Sequence, residues 1–424
     1  MQLSISDVLD AYRADLSNAG RARFSSHDAT WLAFGTLMQR AVGVADDERA
    51  TYLRGGAARM LAGFPAGSLT ATIDTLARCA LADGMDDDDF DAALCSAAMA
   101  VAADAEDAGA FALATLIIDF ARILVGLGEF RLQGRLLAQQ ARIFRKIGEM
   151  DSALELYGEL DEIAATHGDQ ELVARAHLGK AAVARVRGNL PRAREEFSAI
   201  LKTALGSNEI RELHMHAHHG LLIVSASAGD FDAALRHGSL ALALARNEER
   251  RIEMLTNVSA VCFDVGQFRA ALHGYLQVLG KTTIERVRIG AIGGAGTAAA
   301  HLGDRATVDT LARSATLLLA HHAHEYELAD MAREFSEAYS YMGESELAST
   351  YREYAMERAQ RGGFYEIIHK IESFDLSSNK ARPRALRLAD DALTVARELA
   401  SGDSEELLLA AVGAGGQQWP PGTV

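Results

Sequence analysis

Proline is nearly missing from this sequence: five residues in 424, namely Pro65, Pro191, Pro383, Pro420 and Pro421. Proline removes a helix hydrogen bond and clashes with the preceding turn, so a chain this poor in it can sustain helix after helix. Cysteine is also scarce. Cys79, Cys95 and Cys262 lie far apart with no C-x-x-C spacing, which excludes a disulfide framework or a thiolate zinc site and reads as small buried hydrophobes in a reducing compartment. Alternating runs of Val, Ile and Thr are hard to find, so strands are not expected; apolar positions recur instead at three- and four-residue spacing. No long apolar run is present, because residues 111–127 are interrupted by Asp119 and Arg122 and are short for a membrane span. Residues 1–15 lack a basic segment followed by an apolar one, so no signal peptide is expected and the location reads as cytoplasmic. Positive charge is in deficit, with 42 basic against 58 acidic side chains and a net charge of −16. That excludes a uniformly basic nucleic-acid binder.

What is abundant is apolar surface. Hydrophobic residues make up 49% of the chain and aromatics only 6%, with alanine dominating many segments. Alanine is the best helix former and lets neighbouring backbones approach closely. A length of 424 residues exceeds what one compact core organises, so several domains or an elongated array is expected.

A phrase recurs along the chain: glycine, then usually an acidic or amide residue, then alanine five positions after the glycine. It pairs Gly148 with Ala153, Gly188 with Ala193, Gly229 with Ala234, Gly266 with Ala271 and Gly343 with Ala348; at Gly303 a valine, Val308, replaces the alanine. The glycines stand 37 to 41 residues apart. Glycine tolerates the left-handed conformation that ends a helix, and the polar residue after it helps to start the next. The alanine lies inside that second helix, where Ala153, Tyr157 and Leu160, or Ala193, Phe197 and Ile200, or Ala271, Tyr275 and Val278, follow at helical spacing. Each hairpin leaves a face that must stack on its neighbours.

This pattern resembles the tetratricopeptide repeat (TPR) family, in the long-period degenerate form found in bacterial regulators and scaffolds. In that family a glycine closes helix A, an alanine sits five residues later in helix B and an aromatic follows. The match covers roughly residues 130–360. It departs from the family in its longer period, in lacking the proline that usually ends each unit, and in most of the early tryptophan and glycine positions of helix A. The resemblance implies an all-α fold, a right-handed superhelical array, or α-solenoid, of antiparallel helix hairpins. The expected organisation is degenerate capping hairpins over 1–127, TPR-like repeats over 128–361, C-terminal helices over 362–412 and a disordered tail over 413–424.

In the family, helix A lines the concave groove. Projected onto this chain, the groove positions are Arg135, Arg142, Arg145 and Lys146 in one unit, Arg175 and Arg185 in the next, then His216 and His219, then Asn257. The six basic residues would make a cationic stripe suited to an acidic segment or a terminal carboxylate. The alternative is that they are solvated or paired with nearby Glu and Asp. Asn257 stands where family members hold a peptide backbone, and it equally suits a bond within the array. His214 and His218 share a helix face, and His321, His322 and His324 form a second group. With the thiols elsewhere and no H-E-x-x-H phrase, histidines without a metal are expected. The carboxylates from Asp86 to Asp89 read as a helix start. Residues 290–296 are glycine-rich but follow no strand, so close helix packing is expected there and not a nucleotide site.

No P-loop, G-x-S-x-G elbow or kinase phrase is present, so neither an enzyme nor a cofactor is expected. The expected function is a protein–protein interaction scaffold binding an extended peptide or helix of a partner. The alternative is the sensor arm of a bacterial signalling or transcription-control system that binds a peptide or small molecule. Neither nucleic acid nor membrane is an expected partner.

Overall fold

The computed structural model describes residues 26–63, 87–107, 110–125, 129–204, 206–319, 325–377, 390–401 and 407–408. Among them are eighteen α-helices and no β-strand, as the scarcity of proline and the three- and four-residue spacing imply. The expectations for residues 1–15, Cys79, Asp86, the group His321, His322 and His324, and the tail over 413–424 lie outside the described residues. The chain divides into two compact units, Met1–Ala204 and Leu205–Val424.

The first unit contains α1 (Ser26–Val42), α2 (Asp46–Gly63), α3 (Asp87–Asp107), α4 (Phe111–Leu124), α5 (Phe130–Lys146), α6 (Met150–His167), α7 (Gln170–Val186) and α8 (Leu190–Ile200). Consecutive helices pack in pairs, and α5 lies against both α3 and α7. Its core starts at Trp31, Phe34 and Met38 on α1 and continues through Leu113, Ile117 and Phe120 on α4. The Trp31 indole donates to Asp104 Oδ2 at 2.8 Å, which satisfies the polar edge of a buried ring.

The second unit contains α9 (Asn208–Ser227), α10 (Phe231–Leu244), α11 (Glu248–Asp264), α12 (Phe268–Lys281), α13 (Glu285–Leu302), α14 (Arg305–Leu319), α15 (Glu325–Tyr341), α16 (Ser345–Gly362), α17 (Tyr365–Ser377) and α18 (Asp390–Leu399). Hairpins α9–α10, α11–α12, α13–α14 and α15–α16 follow one another, with α11 on α9, α13 on α11 and α15 on α13. The last helix, α18, does not extend the series. It lies against α10 and α12 and adds Ala392, Val395 and Ala396 to their core.

The recurring phrase works mechanically as a helix stop. Gly148 has φ +94°, and Gly188, Gly229, Gly266, Gly303 and Gly343 have φ between +75° and +80°, a region in which a side chain would be strained. The residue after each glycine then reaches back over the helix end, as in Glu149 N to Phe144 O at 2.9 Å and Asn189 N to Ala184 O at 2.9 Å. The polar residue of the phrase caps the next helix only where it is short. Asn189, Asp230 and Asp304 accept from backbone N–H groups at 3.1 Å, whereas Glu149, Gln267 and Glu344 make no side-chain cap. An extra methylene carries the acceptor past the first turn.

The alanines of the phrase are buried, and in two units the ring four residues later lies against a bare backbone. Tyr157 lies on Gly179, and Tyr275 lies on Gly294, where an added Cβ would meet Cζ at 2.5 Å. Gly293 and Gly296 serve the same purpose. A Cβ at Gly296 would stand 2.9 Å from Phe335 Cε1, and one at Gly293 only 3.2 Å from the Met331 Cα. They let α13 and α15 approach closely. No helix among the described residues is long and apolar enough to cross a membrane.

Candidate functional site

The six basic residues of the expected stripe come together on two helices of the first unit. Arg135, Arg142, Arg145 and Lys146 lie on α5 and Arg175 and Arg185 on α7, and these helices pack directly. Arg145, Lys146 and Arg185 occupy last turns, where the partial negative charge of the helix end favours a cation.

Four of the six are paired. Arg135 Nη2 is 3.1 Å from Glu171 Oε1, and Arg175 Nη2 is 2.8 Å from the same oxygen. Arg142 Nη2 reaches Glu106 Oε2 at 2.8 Å and Lys146 Nζ reaches Glu106 Oε1 at 2.6 Å. The Glu106 side chain is fully buried in the last turn of α3, an unfavourable place for an anion, and it also accepts from Gln139 Nε2 at 3.1 Å. Two cations and an amide hold it there.

Arg145 and Arg185 are the exception. Neither makes an ion pair among the described residues. Arg145 donates to the buried Tyr157 hydroxyl, while its Nε is enclosed without a partner. Burial, and then the like charge of Arg145, lowers the pKa of Arg185. Around the ends of α5 and α7, Arg142 and Lys146 thus share Glu106, while Arg145 and Arg185 have no carboxylate partner among the described residues. Ile147 and Val186, next along the two helices, are 44% and 50% exposed, so the charge is edged by apolar surface. Two half-buried guanidiniums without a carboxylate present several N–H donors to an incoming oxyanion.

The remaining expected positions belong to the second unit. His216 Nε2 stands 3.7 Å from Glu212 Oε1. Asn257 Nδ2 lies 2.8 Å from His219 Nε2 and 3.2 Å from the Glu253 carbonyl, so its amide nitrogen is used within the array. His214 is buried, and His218 Nδ1 approaches His237 Nδ1 at 3.0 Å. No group of three or more His, Cys, Asp or Glu arranged to hold a metal occurs among the described residues.

The His218 contact has a pH consequence. Burial, then the nearby His237 and His214, lowers its pKa from 6.5 to about 4. The folded state therefore favours the neutral ring. That contribution is complete above pH 6.5 and is lost as pH falls through about 4, because the unfolded chain takes up the proton first. The thermal midpoint is expected to fall between pH 6.5 and pH 4, and His218→Gln should flatten that slope. Parallel midpoint curves for the two proteins would refute it.

Glu106, Glu171, Gln139 and Tyr157 were not among the sequence-based site residues. A signal for the first two exists. Arg142 follows Glu106 by 36 residues and Glu171 follows Arg135 by 36, close to one repeat period, so opposite charges one period apart mark pairs across stacked helices.

No protein-family model matches this sequence, and no curated protein matches it. Solved structures that resemble it distantly include the following two. The apo form of the quorum sensor NprR from B. thuringiensis shares 12% identity, covers 84% of this chain and 97% of its own, and gives a TM-score of 0.39. The human IFIT1 dimer with PPP-AAAA shares 12% identity, covers 84% and 95%, and gives a TM-score of 0.34.

Proposed function

We propose that this chain is a binding scaffold and not an enzyme, and that the α5–α7 face of its first unit takes an acidic segment of a partner protein. The observation that carries this reading is the charge at the ends of α5 and α7, where Arg145 and Arg185 stand together with no carboxylate between them among the described residues. Like charges held side by side, part buried, repel each other until an anion arrives. A glutamate or aspartate side chain, or a terminal carboxylate, relieves that repulsion and accepts from both guanidiniums. The exposed Ile147 and Val186 offer contact to apolar residues flanking the acid.

The test uses fluorescence polarisation with a labelled hexaglutamate peptide and the full chain. Arg145→Glu plus Arg185→Glu is expected to weaken binding at least tenfold, since hydrogen bonds to charged groups contribute about 1.5–3 kcal/mol each. Arg135→Ala plus Arg175→Ala, which removes cations already matched by Glu171, should change it about twofold or less by the same reasoning on compensated surface pairs. Equal losses in the two variants would refute the assignment.

A further inference from the structure

A second charged surface lies in the second unit and has the opposite sign. On α15, Asp330, Glu334 and Glu337 surround one guanidinium: Arg333 is 2.6 Å from Asp330, 3.4 Å from Glu334 and 2.5 Å from Glu337. Three carboxylates thus share one cation. The other cation in range, Lys370 on α17, is already 2.7 Å from Glu366. Glu334 is only 23% exposed, and its Oε2 abuts Gly293 of α13. Burial, opposed by Arg333 and reinforced by Asp330 and Glu337, raises its pKa to about 8.

Two further features stand beside these acids. The Tyr275 side chain lies flat on Gly294 and is 7% exposed, yet its hydroxyl has no hydrogen-bond partner among the described residues. Glu334, Asp264 and Asp330 all bear on it electrostatically, so it faces the acidic surface. One turn before Gly293 on the same face, Gly290 has open space where a side chain would stand, with no atom within 4 Å. The surface is therefore open at Gly290, lined by more carboxylates than cations and supplied with an unused hydroxyl. No three of these groups are arranged to hold a metal. A primary ammonium carries three N–H donors, enough to meet oxygens of two carboxylates and a hydroxyl.

We propose that this surface of α13 and α15, around Gly290, Gly293, Tyr275, Asp330 and Glu334, is a binding site for a primary ammonium group. The ammonium comes either from a free polyamine or from a lysine side chain of a partner protein. It approaches over Gly290, donates to Asp330, Glu334 and the Tyr275 oxygen, and supplies the charge that Arg333 alone does not. This is separate from the anion-binding face of the first unit, and each can fail without the other.

The test measures the thermal midpoint and calorimetric binding of the full chain with spermidine and with N-acetyl-trilysine amide, against NaCl and MgCl₂ at equal ionic strength. At least one amine is expected to bind saturably and raise the midpoint beyond both salts. The stronger of the two identifies the source of the ammonium. Tyr275→Phe, which removes one oxygen, should weaken that binding several-fold without lowering the midpoint of the free protein by more than a degree or two. Gly290→Lys supplies a tethered ammonium, so it should raise the midpoint above that of Gly290→Gln, the control for helix propensity, and abolish amine binding. Amine responses no larger than those of the salts overturn the proposal, as does a Gly290→Lys protein no more stable than Gly290→Gln.

Discussion

Phe335→Ala is expected to lower the stability of the second unit by about 3–5 kcal/mol, the range for emptying a buried aromatic site. Phe335 is 0% exposed. Its ring centroid is 5.3 Å from that of Tyr351 and 6.4 Å from that of Tyr339, which are themselves 5.7 Å apart. The third wall is the backbone of Gly296, where an added Cβ would come within 2.9 Å. Two rings and a helix backbone do not collapse into the vacated space, so the cavity persists. The converse change, Gly296→Leu, overpacks the same place and should cost about 1–3 kcal/mol. Because the added and removed atoms share one volume, the double variant should recover part of both losses. Urea unfolding of the four proteins measures the coupling. Strictly additive losses would show that α13 and α15 do not meet through this contact.

The second large effect falls on Glu106 and carries opposite signs for stability and binding. Glu106→Gln removes the carboxylate that holds Arg142 and Lys146, which are 40% and 36% exposed. Breaking a buried pair costs about 3–5 kcal/mol when the orphaned charge stays dry. Here water reaches both cations, so a loss of about 2 kcal/mol is expected, near the value for a hydrogen bond to a charged group. The same change removes the carboxylate charge that Arg142 and Lys146 share at the ends of α5 and α7. Affinity for hexaglutamate should therefore rise several-fold while the urea midpoint falls. A variant that loses both stability and affinity would indicate that Glu106 orders the face and does not compete with its ligand.

Much of the fold can be read from the residues because its signals are local. A glycine forced to φ near +75°, an alanine five residues on and a three-to-four spacing of apolar groups each act within a turn or two of helix. The hairpin boundaries follow from them. The pairing of charges is legible only in part. Arg135, Arg142, Lys146 and Arg175 stand on α5 and α7 as the repeat pattern places them, yet their charge is consumed by Glu106 and Glu171, one period away in sequence. The pattern places a side chain on a helix face without saying what stands on the next helix.

Proline scarcity, the glycine–alanine phrase and the alanine-rich composition by themselves determined an all-helical chain of stacked hairpins, because helix ends and helix faces are set by neighbours in sequence. Tertiary structure alone decided which charges remain unmatched. It left Arg145 and Arg185 without carboxylates among the described residues, and it gathered Asp330, Glu334 and Glu337 around one arginine. It also laid α18 against α10 and α12, where the order of elements along the chain gives no hint of it. The reason is physical: a charge is neutralised, and an apolar face covered, by whatever lies within a few ångströms in space, and that proximity is created only when helices distant in sequence pack.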